Sequence, residues 1–133
     1  MKKNLNFGLL LLRLSVGGLL IFHGIAKLKN SIHGVKTTFE GIGIPSVLAN
    51  TVYITEILAP IMLILGFRTR VGALLVAGMM LVIMFLVQPD GLGAITKTGA
   101  WALELQGLFF FGAMTLFFTG AGKYAVSTKN KWD

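Results

Sequence analysis

Residues 5–26 read LNFGLLLLRLSVGGLLIFHGIA, an apolar run whose single formal charge is Arg13. A helix rises about 1.5 Å per residue, so a run of this length covers the ~30 Å hydrocarbon core of a bilayer. Three further apolar stretches follow at residues 47–67, 71–87 and 100–119. Between them, Arg68-Thr69-Arg70 makes a polar turn, Gln88-Pro89-Asp90-Gly91 stops the third stretch, and Gly120-Ala121-Gly122 ends the fourth. Composition agrees. The chain of 133 residues is 55% hydrophobic and 13% charged, where soluble domains carry about 25% charged residues. Its mean hydropathy is +0.80. The expectation is an all-α membrane protein, a single domain over residues 1–133, built as a bundle of four transmembrane helices. No room remains for a soluble catalytic module.

Lys2 and Lys3 before the first run resemble the start of a signal peptide. No small-residue cleavage site follows, and the run is long for such a segment, so it reads as a retained helix. The chain has no cysteine, which excludes disulfides, thiolate metal sites and thiol redox chemistry. Its formal net charge is +7. In a membrane protein this excess reflects topology and contact with anionic head groups, and nucleic acid is not an expected partner. With both termini inside, Lys2, Lys3, Arg68, Arg70, Lys123, Lys129 and Lys131 face the cytoplasm, against Lys27, Lys29, Lys36 and Lys97 outside. The positive-inside bias therefore predicts an N-in, C-in orientation.

The first outer loop, residues 27–45, carries Ile32, Val35, Phe39 and Ile42 at helical spacing among polar residues. This predicts a short amphipathic helix on the outer surface, placed to cover the mouth of the bundle. The tail, residues 127–133, reads as a solvated, frayed end.

Ionisable groups inside the apolar runs carry the functional signal. One at the centre of a membrane helix costs about 2.5–3.5 kcal/mol on insertion scales and must face protein or water. Arg13, His23, Glu56 and Glu104 are such groups, with Lys27 at the edge of the first run. Counting the helical rise from the cytoplasmic ends puts Arg13 about 12 Å deep and Glu56 about 15–16 Å deep. A direct Arg13–Glu56 pair is thus expected, with Glu104, His23 and Lys27 continuing a polar track outward. Arg13, Gly17, Gly24 and Lys27 share one helical face. The glycines there would admit a second helix or a flat ligand. Tyr53 shares a face with Glu56 and Pro60, and Trp101 shares one with Glu104, Leu108 and Phe111. Pro60 also strips the carbonyl of Glu56 of its helical partner.

Blander readings stand beside these. An Arg13–Glu56 pair would serve equally to fix helix register, and Lys27 would reach the head groups. Tyr53 and Trp101 fit an interfacial belt, and Gln106 would hydrogen-bond another helix. Met79, Met80 and Met84 read as packing. No metal site is expected: His23, Glu56 and Glu104 differ in depth by several ångströms, and His33 falls in the loop.

Taken in order, several segments resemble the DoxX family of small bacterial and archaeal membrane proteins. They are Leu12-Arg13-Leu14, Phe22-His23-Gly24-Ile25-Ala26-Lys27, Thr55-Glu56-Ile57-Leu58-Ala59-Pro60 and Leu65-Gly66-Phe67-Arg68-Thr69-Arg70, with Glu104 opening the fourth run. Gly120-Ala121-Gly122-Lys123-Tyr124 closes it, with Lys123 where the family often carries arginine. The resemblance implies a four-helix protein of the bacterial or archaeal cytoplasmic (inner) membrane, linked to quinone-coupled oxidoreductases. Three functions remain open. One is a quinone- or quinol-binding oxidoreductase component, with Arg13, His23, Glu56 and Glu104 as reacting groups and Gly17, Gly24, Lys27, Tyr53 and Trp101 against the ligand. Electrons would then pass to a soluble or membrane redox partner, since no cofactor motif appears. The second is a proton-coupled small-molecule carrier, which at this size requires a homo-oligomer. The third is a non-catalytic membrane subunit or assembly factor.

Overall fold

A computed structural model describes residues 4–133; Lys2 and Lys3 of the positive-inside count lie outside the described residues. Asn4 opens the first helix, its side-chain oxygen accepting the backbone N–H of Phe7 at 3.1 Å, the usual role of an N-cap. Helix α1 (Leu5–Asn30) runs on to Ser31, which takes a left-handed backbone at φ 70° and breaks the chain. Helix α2 (His33–Gly41) follows. Helix α3 spans Ser46–Leu65, helix α4 spans Thr69–Val87, and helix α5 spans Glu104–Thr119. Among the described residues there is no strand, only an isolated bridge between Ile95 and Trp101.

Helices α1, α3 and α4 are each long and apolar enough to cross a membrane. Helix α5 is equally apolar but has 16 residues. Residues 100–103, expected as its first turn, are held outside it: Thr96 N–H bonds the carbonyl of Ala100 and Ala102 N–H that of Ala94. Alternation of direction puts the start of α1, the α3–α4 turn and the end of α5 on one side, here the tail side. The opposite, lid side carries α2 and the α4–α5 connection. A hydrogen bond from Lys123 N–H to Asn6 Oδ1, 2.9 Å, ties the two ends on the tail side.

In lipid, helices gain little from burying one apolar face against another, so close packing of small residues must hold them. The core shows that pattern. Ala59, Ala73 and Ala113 are fully buried beside Leu63, Val76 and Leu116, and Gly72 lets α4 approach the carbonyl of Ala59 in α3. Large apolar side chains such as Phe22, Leu108 and Phe118 point outward, where a soluble protein would place charge. The expected amphipathic helix is present as α2, residing on the lid side. Ile32 is buried and Val35 and Phe39 are half-buried, while Ile42 falls past the helix end and is exposed.

The tail differs from expectation. Residues 127–133 are not a frayed end but a strap across the tail side. The reason is the set of backbone groups that a helix leaves unpaired at each terminus. Val126 N–H donates to the carbonyl of Leu65 and Ser127 N–H to that of Gly66, at the end of α3. The carbonyl of Trp132 accepts Arg70 N–H, and the Asp133 carboxylate accepts Arg68 N–H at 3.1 Å, at the start of α4. The Ser127 hydroxyl, with the N–H groups of Asn130 and Arg68, holds the Asp133 carboxyl below the usual carboxylate range.

Candidate functional site

Helix α1 meets α3 along a seam of Arg13, Gly17, Leu20, Gly24 and Lys27. A Cβ on Gly17 would lie 2.8 Å from the carbonyl oxygen of Pro60, and one on Gly24 would collide with that of Glu56. The glycines therefore serve the helix–helix contact, and the flat-ligand slot expected between them is filled by α3. Gly24→Ala is expected to cost about 1–3 kcal/mol by overpacking, read as a lowered melting temperature in detergent. Gly18→Ala, which meets open space, is expected to be neutral or slightly stabilising through helix propensity.

At one end of this seam sits Arg13, 1% exposed. Its Nε donates to the carbonyl of Leu63 at 2.8 Å and Nη2 to that of Ile64 at 3.0 Å. Nη1 donates to the carbonyls of Ala121 and Tyr124, both at 2.8 Å. The expected Arg13–Glu56 pair does not form. The guanidinium instead sits on the negative end of α3, donating to carbonyls of its last turn. Gly66 makes room: it turns the chain at φ 71°, and a Cβ there would lie 2.8 Å from the Arg13 guanidinium carbon. Arg13 thus joins the end of α3 to the Gly120–Tyr124 segment.

At the other end, Lys27 Nζ donates to Glu56 Oε1, an ion pair in which the carboxylate side chain is 2% exposed and the lysine 28%. Side chains on a helix lean toward its N-terminus. Lys27 therefore leans from the lid side inward. Glu56, on an antiparallel helix, leans toward the lid side and meets it, whereas Arg13 leans the other way. The second carboxylate oxygen, Oε2, is buried and has no hydrogen-bond partner among the described residues.

Glu56 stands in a π turn, Ile54–Leu58, in which Ala59 N–H reaches back to the carbonyl of Ile54. Pro60, which has no N–H, follows directly, so the local ladder has to be re-formed there. A second π turn, Ile83–Val87, ends α4, with Gln88 N–H on the carbonyl of Ile83 at 2.8 Å. Both turns line one cavity of about 420 Å³ under α2. Glu56, Lys27, Gln88 and Gln106 bring polar groups to it, and Val35, Phe39, Val52, Met79, Val82 and Ile83 form apolar wall. Threonines 38, 51 and 55 complete the lining with Gly34 and Val87. Gln106 lies near Gln88, Nε2 to Oε1 at 3.5 Å.

Of the residues expected to react or to touch the ligand, Lys27 and Glu56 line this cavity. His23 is exposed, its ring edge-on to Phe109 and its Nδ1 at 3.3 Å from the carbonyl of Leu19. Glu104 is exposed at the first turn of α5, where a carboxylate suits the positive helix end. Its presumed inward face, with Leu108 and Phe111, points outward. Tyr53 is half-buried and outside the cavity lining. Trp101 packs over Gly107 and donates Nε1–H to the carbonyl of Leu92 at 3.0 Å, fastening the α4–α5 connection. The continuous polar track therefore divides into an arginine clamp on the tail side and a carboxylate cavity on the lid side. Gln88 and Gln106 are the additions. Gln106 was expected as a hydrogen-bonding residue on the side of its helix opposite Glu104, not as part of a site, and Gln88 carried only a helix-stop signal.

The DoxX family model matches residues 8–89, more than half of the chain. The chain belongs to the DoxX family. The match covers α1 to the end of α4, and hence Arg13, Lys27, Glu56 and Gln88. Among curated proteins, "Putative oxidoreductase CatD" of Bacillus subtilis (strain 168) is 31% identical over 77 residues, 58% of this chain and 57% of that protein. This DoxX chain thus spans somewhat more than half of the relative's length. No solved structure matches it.

Proposed function

We propose that this DoxX protein crosses the bacterial or archaeal cytoplasmic membrane four times, tail side in the cytoplasm, and binds a quinone or quinol in the lid-side cavity as a component of an oxidoreductase. The observation that carries the reading is Glu56: a buried carboxylate whose Oε1 is held by Lys27 and whose Oε2 is left without a partner among the described residues. A buried acceptor of this kind favours a ligand that brings a hydroxyl to it. The wall around it is mostly apolar, and Gln88 and Gln106 offer amide N–H groups to a carbonyl or hydroxyl at a second position. A volume of about 420 Å³ suits one ring head group, at the lower end of the ~300–1,000 Å³ range of small-molecule sites.

In this reading Glu56 Oε2 accepts the hydrogen bond, and then the proton, of a quinol hydroxyl, while Lys27 holds Oε1. Lys27, partly exposed at the lid side, offers the route to water. The quinol's two electrons leave to a separate redox protein acting as oxidant, and the proton of its second hydroxyl leaves to water. The oxidoreductase part draws support from the family and from the name of the Bacillus relative. Helix α5, though short, completes the bundle by packing Ala113 and Leu116 into the core with Ala73 and Val76, and the fourth crossing rests on that packing.

Organic extraction of protein purified in mild detergent, followed by ultraviolet spectra, tests for resident quinone. Titration with a short-chain quinol tests the site. Glu56→Gln replaces the free acceptor by a donor, so quinol affinity is expected to fall about tenfold or more, the scale of one charge-assisted hydrogen bond. Quinone affinity is expected to hold or rise. Equal loss of both forms, or no binding of either by wild type, would sink the reading.

A further inference from the structure

A second cavity, of about 690 Å³, opens on the tail side between the start of α1, the α3–α4 turn, the end of α5 and the strap. Among the described residues, Arg70, Lys123 and Lys131 line it as cations, with the Asp133 side-chain carboxylate, and the main-chain oxygen of Asp133 lies 3.0 Å from the position a Cβ would take on Gly120. That carboxylate is held by Ser127 and by the N–H groups of Arg68 and Asn130, and the cations outnumber it. Arg70 is the telling group. Its Nε is buried and has no hydrogen-bond partner among the described residues. It lies about a van der Waals contact, 3.7 Å, from the position a Cβ would take on Gly120. A guanidinium N–H left unmatched in a polar crevice favours an anion with oxygen acceptors.

The rim identifies the kind of anion. Leu5 and Phe118, each neighbour to a cavity residue, are 70% and 71% exposed, so apolar lipid-facing surface begins where the cationic crevice ends. On the strap, Trp132 is partly exposed beneath the Lys131 ammonium, an aromatic–cation pairing typical of the interfacial layer. A ligand matching both features is an amphiphile with a phosphate head and acyl chains. We infer that this tail-side crevice binds the phosphate of an anionic phospholipid, held by Arg70, Lys123 and Lys131. Lipid bound there would cross-link the α3–α4 turn, the end of α5 and the strap from outside, as Arg13 does from inside. The site is independent of the lid-side cavity and of the function proposed for it.

The test is native mass spectrometry of the full chain released from nanodiscs containing equal phosphatidylglycerol and phosphatidylcholine. Retained phosphatidylglycerol is expected to exceed phosphatidylcholine. Arg70→Gln and Lys131→Gln are each expected to reduce it about fivefold, the scale of one cation near an anionic surface. Lys129→Gln, which removes a strap charge outside the crevice, is expected to have little effect. The Arg70 side chain donates no hydrogen bond within the described chain, so its variant should keep wild-type helicity by circular dichroism. If it does not, wild-type selectivity and Lys131→Gln still decide. Equal retention of the two lipids, or a Lys129→Gln effect as large as that of Arg70→Gln, would show diffuse surface charge and overturn the site. Displacement of the lipid by millimolar inorganic phosphate would assign the crevice to a soluble anion and overturn the lipid assignment.

Discussion

Arg13→Ala is expected to destabilise the protein by on the order of 5 kcal/mol and to release the strap. The side chain donates to four carbonyls, and hydrogen bonds to a charged group contribute about 1.5–3 kcal/mol each in favourable cases. Their removal takes a charged donor from the carbonyls of Leu63, Ile64, Ala121 and Tyr124, of which those of Leu63 and Ala121 lie at buried bonds. Truncation also opens a cavity at a fully buried position. Arg13→Lys should recover less than half of the loss, because one ammonium cannot match the planar fork that meets four acceptors. Unfolding in a denaturing-detergent titration would give the stability. Limited trypsinolysis would show the strap, with cleavage after Lys123 and Lys129 rising as it comes free. An Arg13→Ala protein as stable as wild type would refute the clamp.

The second large effect lies at the other end of the seam. Lys27→Met removes the partner of a carboxylate that is 2% exposed, and breaking a buried pair from one side costs about 3–5 kcal/mol. Partial exposure of the lysine places the expected loss near the lower bound, about 3 kcal/mol. Replacing both partners by apolar residues of similar size removes the uncompensated charge, so Lys27→Met with Glu56→Leu should return close to wild-type stability. A double-mutant cycle in detergent measures the coupling. The same double variant separates structure from function: it should be folded yet fail to bind the quinol. Wild-type binding by that protein would mean that the pair only sets helix register.

Arg13 and Glu56 show where reading the sequence succeeded and where it misled. That both are buried followed from their position in apolar runs, and both are. That they pair followed from comparing Cα depths, and this was wrong because the two side chains lean in opposite directions along the membrane normal. The same lean brings Lys27 back to Glu56, although its place at the helix edge suggested head-group contact. Glu104 was misplaced for a different reason. Helix α5 is apolar on nearly every side, so periodicity cannot say which face is inward. Gly107, Phe109, Ala113 and Leu116 face inward, with Gly107 and Ala113 permitting close approach, and Glu104 is turned out.

The sequence by itself determined the membrane character, the apolar helices and their approximate limits, the small helix over the lid side and the family. Each of these rests on local quantities: hydropathy summed over some twenty residues, helical spacing, and the order of short segments. Only the tertiary structure decided what the charges do. It divided one supposed track into a clamp and a cavity, folded the strap onto helix ends that needed its backbone groups, and brought Gln88 and Gln106 into one cavity with Glu56. Those outcomes depend on side-chain direction and on which unpaired carbonyls and N–H groups come within reach. Both arise between elements distant in the chain, where no periodicity records them.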